Sequence, residues 1–454
     1  MTHLALLVHF FHYRLHENQG DFPAKTPYRL KQMSPQIMRT AIKNVTCFCV
    51  FIQTALLGGS IMGQGTAFNV FDYGAKGDGR TFDTVAIQKA IDACAQAGGG
   101  EIRVPAGTFL CKPLYLHGNN TTLNLEAGAV LQGSPSFTDY RNSRGEVVGL
   151  VNANGLTNVS ISGSGAIDGG GAPWWPAVRE AKRAGAPEPR RRPKMVNFHN
   201  CQGVTLRDVT LRNSPSFHLV PVDCENVLID HVTIHAPADS PNTDAIDPSS
   251  CKNVRIINCT LDVGDDNVAV KAGHPVAGRE FCCEDILVSN CACLHGHGVS
   301  IGSETSGGVS NFVVINCTFD GTTSGIRIKT TRQKGGVVEN ILYKNLSMKN
   351  VKRPIDIACY YPRIPKEDPA QAITPLTPSY HDIRIENLTG EGPDIAGLIV
   401  GLPESPIRNL SLSNVTLRAR TGLLIKNAEG VEMKNVKIDP QEGQPVILEN
   451  AQVH

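Results

Sequence analysis

One short pattern recurs along this chain and limits its possible folds more than any other feature. It reads Asn, Asp or Gly, then apolar, any, apolar. It occurs as Asn158-Val159-Ser160-Ile161, Gly203-Val204-Thr205-Leu206, Asn226-Val227-Leu228-Ile229 and Asn253-Val254-Arg255-Ile256. Asp285-Ile286-Leu287-Val288, Asn311-Phe312-Val313-Val314 and Asn340-Ile341-Leu342-Tyr343 continue it, followed by Asp382-Ile383-Arg384-Ile385, Asn409-Leu410-Ser411-Leu412 and Gly430-Val431-Glu432-Met433. From Gly203 onward most steps are 21–32 residues, within the period of a solenoid coil. The alternation sends every second side chain inward. The leading Asn, Asp or Gly falls where the chain must turn, often through left-handed backbone. No helices separate these strands. The predicted fold is therefore all-β, a right-handed parallel β-helix rather than βαβ units. A β-sandwich would join its strands by hairpins, and the sequence shows almost no two-residue Asn-Gly or Asp-Gly hairpins.

One helix is predicted ahead of the repeat. Asp83 or Thr84 can start it, Ile87, Ile91 and Cys94 form its apolar stripe, and Gly98-Gly99-Gly100 ends it. An amphipathic helix placed there would cap the open end of the first coil. Two insertions break the coils, Gly169–Pro193 and Tyr360–Pro378. The first carries Trp174-Trp175 and the run Arg190-Arg191-Arg192-Pro193-Lys194. Rings beside cations suit a charged carbohydrate; a Trp pair packed on the coil is an equal alternative.

The first 66 residues read as two processing segments. Residues 38–43 are a short basic start, Val45 to Met62 is mostly apolar, and small residues follow around Gly63–Ala67. That is the layout of a secretory signal peptide over 38–66, with 1–37 a spurious N-terminal extension. Residues 67–450 then form one catalytic β-helix domain, secreted to an extracellular or periplasmic location and expected to be a monomer. A formal charge of +1 argues for neither nucleic acid nor a membrane as partner. Cys47 and Cys49 fall in the signal, and the other twelve of 14 cysteines lie mostly in the repeat. Export permits disulfides there, although Cys also serves as a small apolar core residue.

Four polar islands carry the chemistry: Asn242-Thr243-Asp244, Gly264-Asp265-Asp266-Asn267, Gly296-His297-Gly298 and Arg327-Ile328-Lys329. Asp244 to Asp266, Asp266 to His297 and His297 to Arg327 are steps of 22, 31 and 30 residues, each about one coil. Neighbouring coils lie about 4.8 Å apart, so the islands should stack into one stripe. Two like charges about 5 Å apart repel by roughly 3 kcal/mol at an effective dielectric of ~20. One of the three carboxyls should therefore keep a proton, which gives an acid/base set for glycosidic cleavage. His297 could tune a carboxyl, and Arg327 with Lys329 project together, as a carboxylate-binding pair would. Asp247 reads as a turn residue. Cys291, Cys293, His295 and His297 could suggest zinc, but collinear residues two apart diverge over ~20 Å.

These motifs, in this order, resemble the polygalacturonases, glycoside hydrolase family twenty-eight, from about Phe68 to Met433. Asn267 after the paired Asp and Gly302-Ser303-Glu304 look like the bacterial branch. The resemblance implies inverting hydrolysis of α-1,4 bonds in polygalacturonate, without a metal or other cofactor. It implies Asp265 as general acid, Asp244 and Asp266 as the pair that holds and deprotonates water, and His297 as the residue guarding the acid's protonation. It also implies Asn242, Arg327, Lys329 and Tyr361 as substrate-binding residues. Ala245 stands where the family usually has Gly and could strain a turn. Endo action is favoured; exo action or a rhamnogalacturonan substrate is the alternative within the class. A calcium-dependent pectate lyase and a non-catalytic glycan-binding β-helix are the alternatives outside it. The reading of the N-terminus takes Met38 as the true start; mass spectrometry finding a secreted form that begins before residue 38 would contradict it.

Overall fold

The computed structural model describes residues 67–273 and 282–454, and the segments read as an extension and a signal peptide lie outside them. The chain is a parallel β-helix. A representative coil contributes three strands, Lys252–Ile257, Thr260–Asp262 and Val268–Ala272. The next coil repeats them as Cys283–Ser289, Ala292–Cys293 and Val299–Thr305. The one after gives Val309–Ile315, Thr318–Asp320 and Ser324–Lys329. All pair in parallel, and their registers stack Val254 on Ile286 on Phe312, Leu261 on Cys293 on Phe319, and Val268 on Val299 on Ile326. Each of these inward side chains is buried. The core is thus a set of apolar columns, each layer resting on the one before.

The turns follow from residue chemistry. All ten leading positions of the recurring pattern have positive φ, from Asn158 at 56° to Gly430 at 62°. A side chain here normally costs strain, but Asn and Asp recover it through side-chain hydrogen bonds. Asn253 bonds to Asn226, Asn311 to Asp285, Asn340 to Asn311 and Asn409 to Asp382. A second ladder runs Asn258 to Asp230, Asn345 to Asn316, Asn387 to Asn345 and Asn414 to Asn387. The rungs fix coil on coil from outside, as the apolar columns do from inside.

Helix α1, Thr84–Gln96, packs Ile87, Ala90, Ile91 and Cys94 inward against the first strands. Its start differs from expectation. Asp83 occupies the N-cap position without a side-chain capping bond, because its carboxylate accepts from the Lys76 and Gly77 amides. The first insertion holds a helix that its sequence pattern did not announce, α2, Trp175–Ala184, closed by Gly185 in left-handed geometry. Trp174 and Trp175 are buried. Trp174 meets Phe137 and Tyr140 edge-on, and Trp175 Nε1 donates to the Ser214 carbonyl. The rings pack on the coil and offer no stacking platform. The twelve described cysteines are all free thiols, eleven of them buried, so the disulfides that export would allow do not form among them. No described helix is long and apolar enough to cross a membrane.

The ladders predict a specific stability effect. Asn311→Ala loses both rungs and keeps a side chain at φ 54°, at an expected cost of about 1–2 kcal/mol in urea unfolding. Asn311→Gly relieves the strain and should cost less; equal losses would contradict this account of the turns.

Candidate active site

The stripe forms through backbone stitches between adjacent coils. Thr243 Oγ1 accepts from the Gly264 amide at 3.0 Å and pairs with Ser240 Oγ at 2.7 Å. The Ala245 amide donates to the Asp266 carbonyl at 2.9 Å. Asn267 ties its own coil to the next: its Nδ2 donates to the Leu261 carbonyl within the coil and to the His295 carbonyl on the next, and its Oδ1 accepts from the Gly298 amide at 2.8 Å. The glycines flanking His297 are required by close approach. A Cβ on Gly296 would lie 2.2 Å from the Asp265 carbonyl oxygen, and one on Gly298 2.1 Å from that of Ser324. Ala245, by contrast, is buried and outside the positive-φ set, so the strain expected there does not occur.

One oxygen from each of Asp244, Asp265 and Asp266 lies within 4.8 Å of the others. Lys329 Nζ reaches Asp266 Oδ2 at 2.6 Å, and Arg327 Nη1 reaches Asp266 Oδ1 at 3.0 Å. His297 Nε2 stands 3.8 Å from Asp265 Oδ1, and its Nδ1 is 2.6 Å from Thr323 Oγ1. Asn242 Nδ2 donates to Asp265 Oδ2 at 3.4 Å. The half-exposed Tyr361 ring lies 5.3 Å from Lys329 Nζ and 5.9 Å from the Arg327 guanidinium carbon. The eight residues singled out from the sequence therefore meet at one place. Arg327 and Lys329 differ in one respect: each is already paired with Asp266 and would meet a substrate carboxylate only through its remaining N–H donors.

Several neighbours escaped the sequence reading. Ser300 Oγ donates to Asp266 Oδ1 at 2.8 Å. Lys271 Nζ lies 3.4 Å from Asp244 Oδ2, pairs with Asp247, and sits 4.3 Å from the Phe217 ring centre. Asp247 is thus a buried ion-pair partner and not a turn residue. His218 is buried with Nδ1 at the Asp244 carbonyl and Nε2 accepting from the Ser214 amide, which puts its hydrogen on Nδ1. Strand parity could have flagged Lys271 and Ser300, since each alternates with buried apolar residues in its own strand. The zinc arrangement does not form: Cys291 and Cys293 are buried in the core, and His295 turns to Asp262 at 2.6 Å.

The charges sort the carboxyls. Burial opposes ionisation of Asp266, but Lys329 and then Arg327 overcome it and hold that carboxyl well below its usual range. Burial pushes Asp244 up, Asp247 adds to the rise, and Lys271 opposes it. Asp247 is raised by burial as well, again against Lys271. Burial disfavours the charged form of Lys271, yet Asp247 and Asp244 reverse this and keep it charged. Burial lowers His297 against the pull of Asp265 and Asp266, and a hydrogen bond with Thr323 Oγ1 at Nδ1 orients the ring with Nε2 towards Asp265. Asp244 Oδ1 is buried without a protein partner, which suits an oxygen that receives a hydrogen bond from water or a sugar hydroxyl.

Three close carboxylates are also a donor set for a divalent cation. Here Asp266 already accepts from Ser300, Arg327 and Lys329, and Asp244 faces Lys271. The arrangement is compensated by its own cations, and the donor set does not fit a resident metal.

A family profile described as Glycosyl hydrolases family 28 matches residues 94–441. The chain is 33% identical over 371 residues to an endo-polygalacturonase of Pectobacterium carotovorum subsp. carotovorum, covering 76% of this chain and 86% of that protein. Among solved structures it is similar to a polygalacturonase from Erwinia carotovora ssp. carotovora, with TM-score 0.70 and 30% identity over 81% of this chain and 96% of that one. It is also similar to a hyperthermoactive exopolygalacturonase from Thermotoga maritima, with TM-score 0.69 and 28% identity over 82% and 92%.

The charge arrangement predicts a pH-dependent stability effect. Lys271→Met leaves Asp244 without its cation and Asp247 with Lys194 alone, so both carboxyls should bind protons more tightly in the folded state. Folded-state proton uptake above the unfolded carboxylate range means stability falls as pH rises. The variant should therefore lose about 3 kcal/mol at pH 7 and recover part of it at pH 5. A deficit that is the same at both pH values would refute the pairing.

Proposed function

The chain belongs to glycosyl hydrolase family 28, and from that premise we propose that it is a secreted polygalacturonase. It would cleave α-1,4-galacturonosidic bonds within polygalacturonate, with inversion. One observation carries this reading: the coil register brings three acids together beside an Arg/Lys pair and Tyr361.

Asp265 donates its proton to the leaving glycosidic oxygen. Asp244 and Asp266 orient a water on the anomeric carbon and take its proton, so the C1–O bond breaks as the new C1–OH bond forms. Asp266 stays ionised because Lys329 and Arg327 hold it so. Asp244, raised by burial, must lose its proton to act as base. Turnover should thus fall as pH drops through a value above the ordinary carboxylate range. The free donors of Arg327 and Lys329, under the Tyr361 ring, receive a galacturonate carboxylate. Asn242 and His297 keep the acid oriented and in the right protonation state. Two-carboxylate inverting sites place their acids about 6.5–9.5 Å apart, wider than the oxygens here. A third acid that shares the water accounts for the closer set, and proton NMR of the first product decides the matter: β-galacturonate for inversion, α for retention.

The relatives include both endo- and exo-acting enzymes. The endo reading is supported by the bacterial-type motifs and by the 33% identity to an endo-polygalacturonase. The site's internal charge compensation favours hydrolysis over a calcium lyase, so chelator should leave activity unchanged.

Purified enzyme on polygalacturonate should give a spread of oligomers with saturated ends, where monomer alone would indicate exo action. Asp265→Asn should lower kcat by about 10²–10⁴-fold. Unsaturated products, or full activity in that variant, would sink the proposal.

A further inference from the structure

The run Arg190–Lys194 invites a reading as substrate-facing cations, but Arg192 points the other way. Its side chain is 3% exposed. Nη1 donates to the Pro215 and Pro241 carbonyls, and Nε pairs with Glu188 at 2.7 Å. Nη2 donates to Asn242 Oδ1 at 3.0 Å. A guanidinium has only donors, so the oxygen of the Asn242 amide must face it. The NH2 group is then turned towards Asp265 Oδ2, 3.4 Å away. The other oxygen of Asp265 accepts from the Asp266 amide at 3.0 Å.

We propose that Arg192, supplied by the first insertion, is a positioning residue that fixes the acid Asp265 by locking the Asn242 amide in one orientation. The inference rests on the acid role given to Asp265 above. An unlocked amide can rotate by half a turn and present its oxygen to Asp265. That contact favours the protonated carboxyl, whereas the NH2 contact favours the ionised one. The lock therefore keeps the acid ready to release its proton and holds its plane. The charged and titratable groups around Asp265 are Asp244 on the preceding coil, Asp266 beside it and His297 on the following coil, with Arg327 and Lys329 beyond. None of them sets the amide. The insertion has a second tie to the same loop, Arg179 to Asp239 at 2.9 Å, which does not touch Asn242 and supplies a control.

The test is a double-mutant cycle of Arg192→Met and Asn242→Ala on polygalacturonate, with Arg192→Lys as a second variant that keeps the charge and loses the planar fork. Each Arg192 variant should lower kcat by about tenfold or more, change KM little, and move the alkaline limb of the kcat profile to higher pH. Combined with Asn242→Ala, Arg192→Met should add almost nothing, because it acts through that amide. Arg179→Gln should leave the limb in place. Losses that multiply in the double variant, or an equal limb shift with Arg179→Gln, overturn the proposal. A second readout separates this inference from the function itself. Neutron diffraction of Arg192→Met should find the Asn242 amide no longer held with its NH2 group towards Asp265 Oδ2, whether or not wild type cleaves polygalacturonate. An amide that keeps its wild-type orientation overturns the lock, while an inactive wild type overturns only the assigned reaction.

Discussion

Parallel stacking at a rise of about 4.8 Å per coil is the constraint on which the rest of the molecule depends. It lets Lys329 touch Asp266 across 63 residues of sequence. It holds only if no coil slips, since a one-residue slip would turn inward side chains out. Two devices prevent slipping. Apolar columns fill the interior, and the asparagine ladders tie the turns where the backbone enters left-handed geometry. The polar stitches at Thr243 and Asn267 continue this work where the site is built. Rigidity at the site is thus the rigidity of the whole coil stack.

On that frame the site is a matter of charge balance. Four carboxyls, Asp244, Asp247, Asp265 and Asp266, face Lys271, Arg327 and Lys329, and Lys194 acts on Asp247 as well. His297 adds little charge because burial lowers it. The cations are unevenly shared: burial raises Asp244 against the pull of Lys271, while Lys329 and Arg327 hold Asp266 low against burial. The carboxyls are thus unequal in their hold on a proton, as an acid and a base that share one site must be. On the proposed reading, a substrate carboxylate entering beside Arg327 and Lys329 redistributes this balance.

Much of this was legible in the sequence, for a physical reason. Inward parity and the need for left-handed turns act within a few residues, so the ten turn positions and the strands that follow them could be read directly. The four islands were legible because coil-length spacing is a one-dimensional measure of stacking. What was hidden depends on contacts across coils. Asp247 looked like a turn residue because its partner Lys271 is 24 residues away. Arg192 looked like a surface cation because its acceptors, the Pro215 and Pro241 carbonyls, lie on later coils. Composition could not tell a buried Trp pair from an exposed one, and the helix α2 between them and Gly185 is a short one whose Ala residues are interleaved with charged ones.

The most direct test of this account is a crystal structure of the Asp265→Asn variant with a galacturonate oligosaccharide. The account predicts a sugar carboxylate on Arg327 and Lys329 under Tyr361, and a glycosidic oxygen within hydrogen-bond distance of residue 265. It also predicts an ordered water held by Asp244 and Asp266. An oligosaccharide bound on another face of the coil, or one lying across the stripe with no glycosidic bond near residue 265, would contradict it.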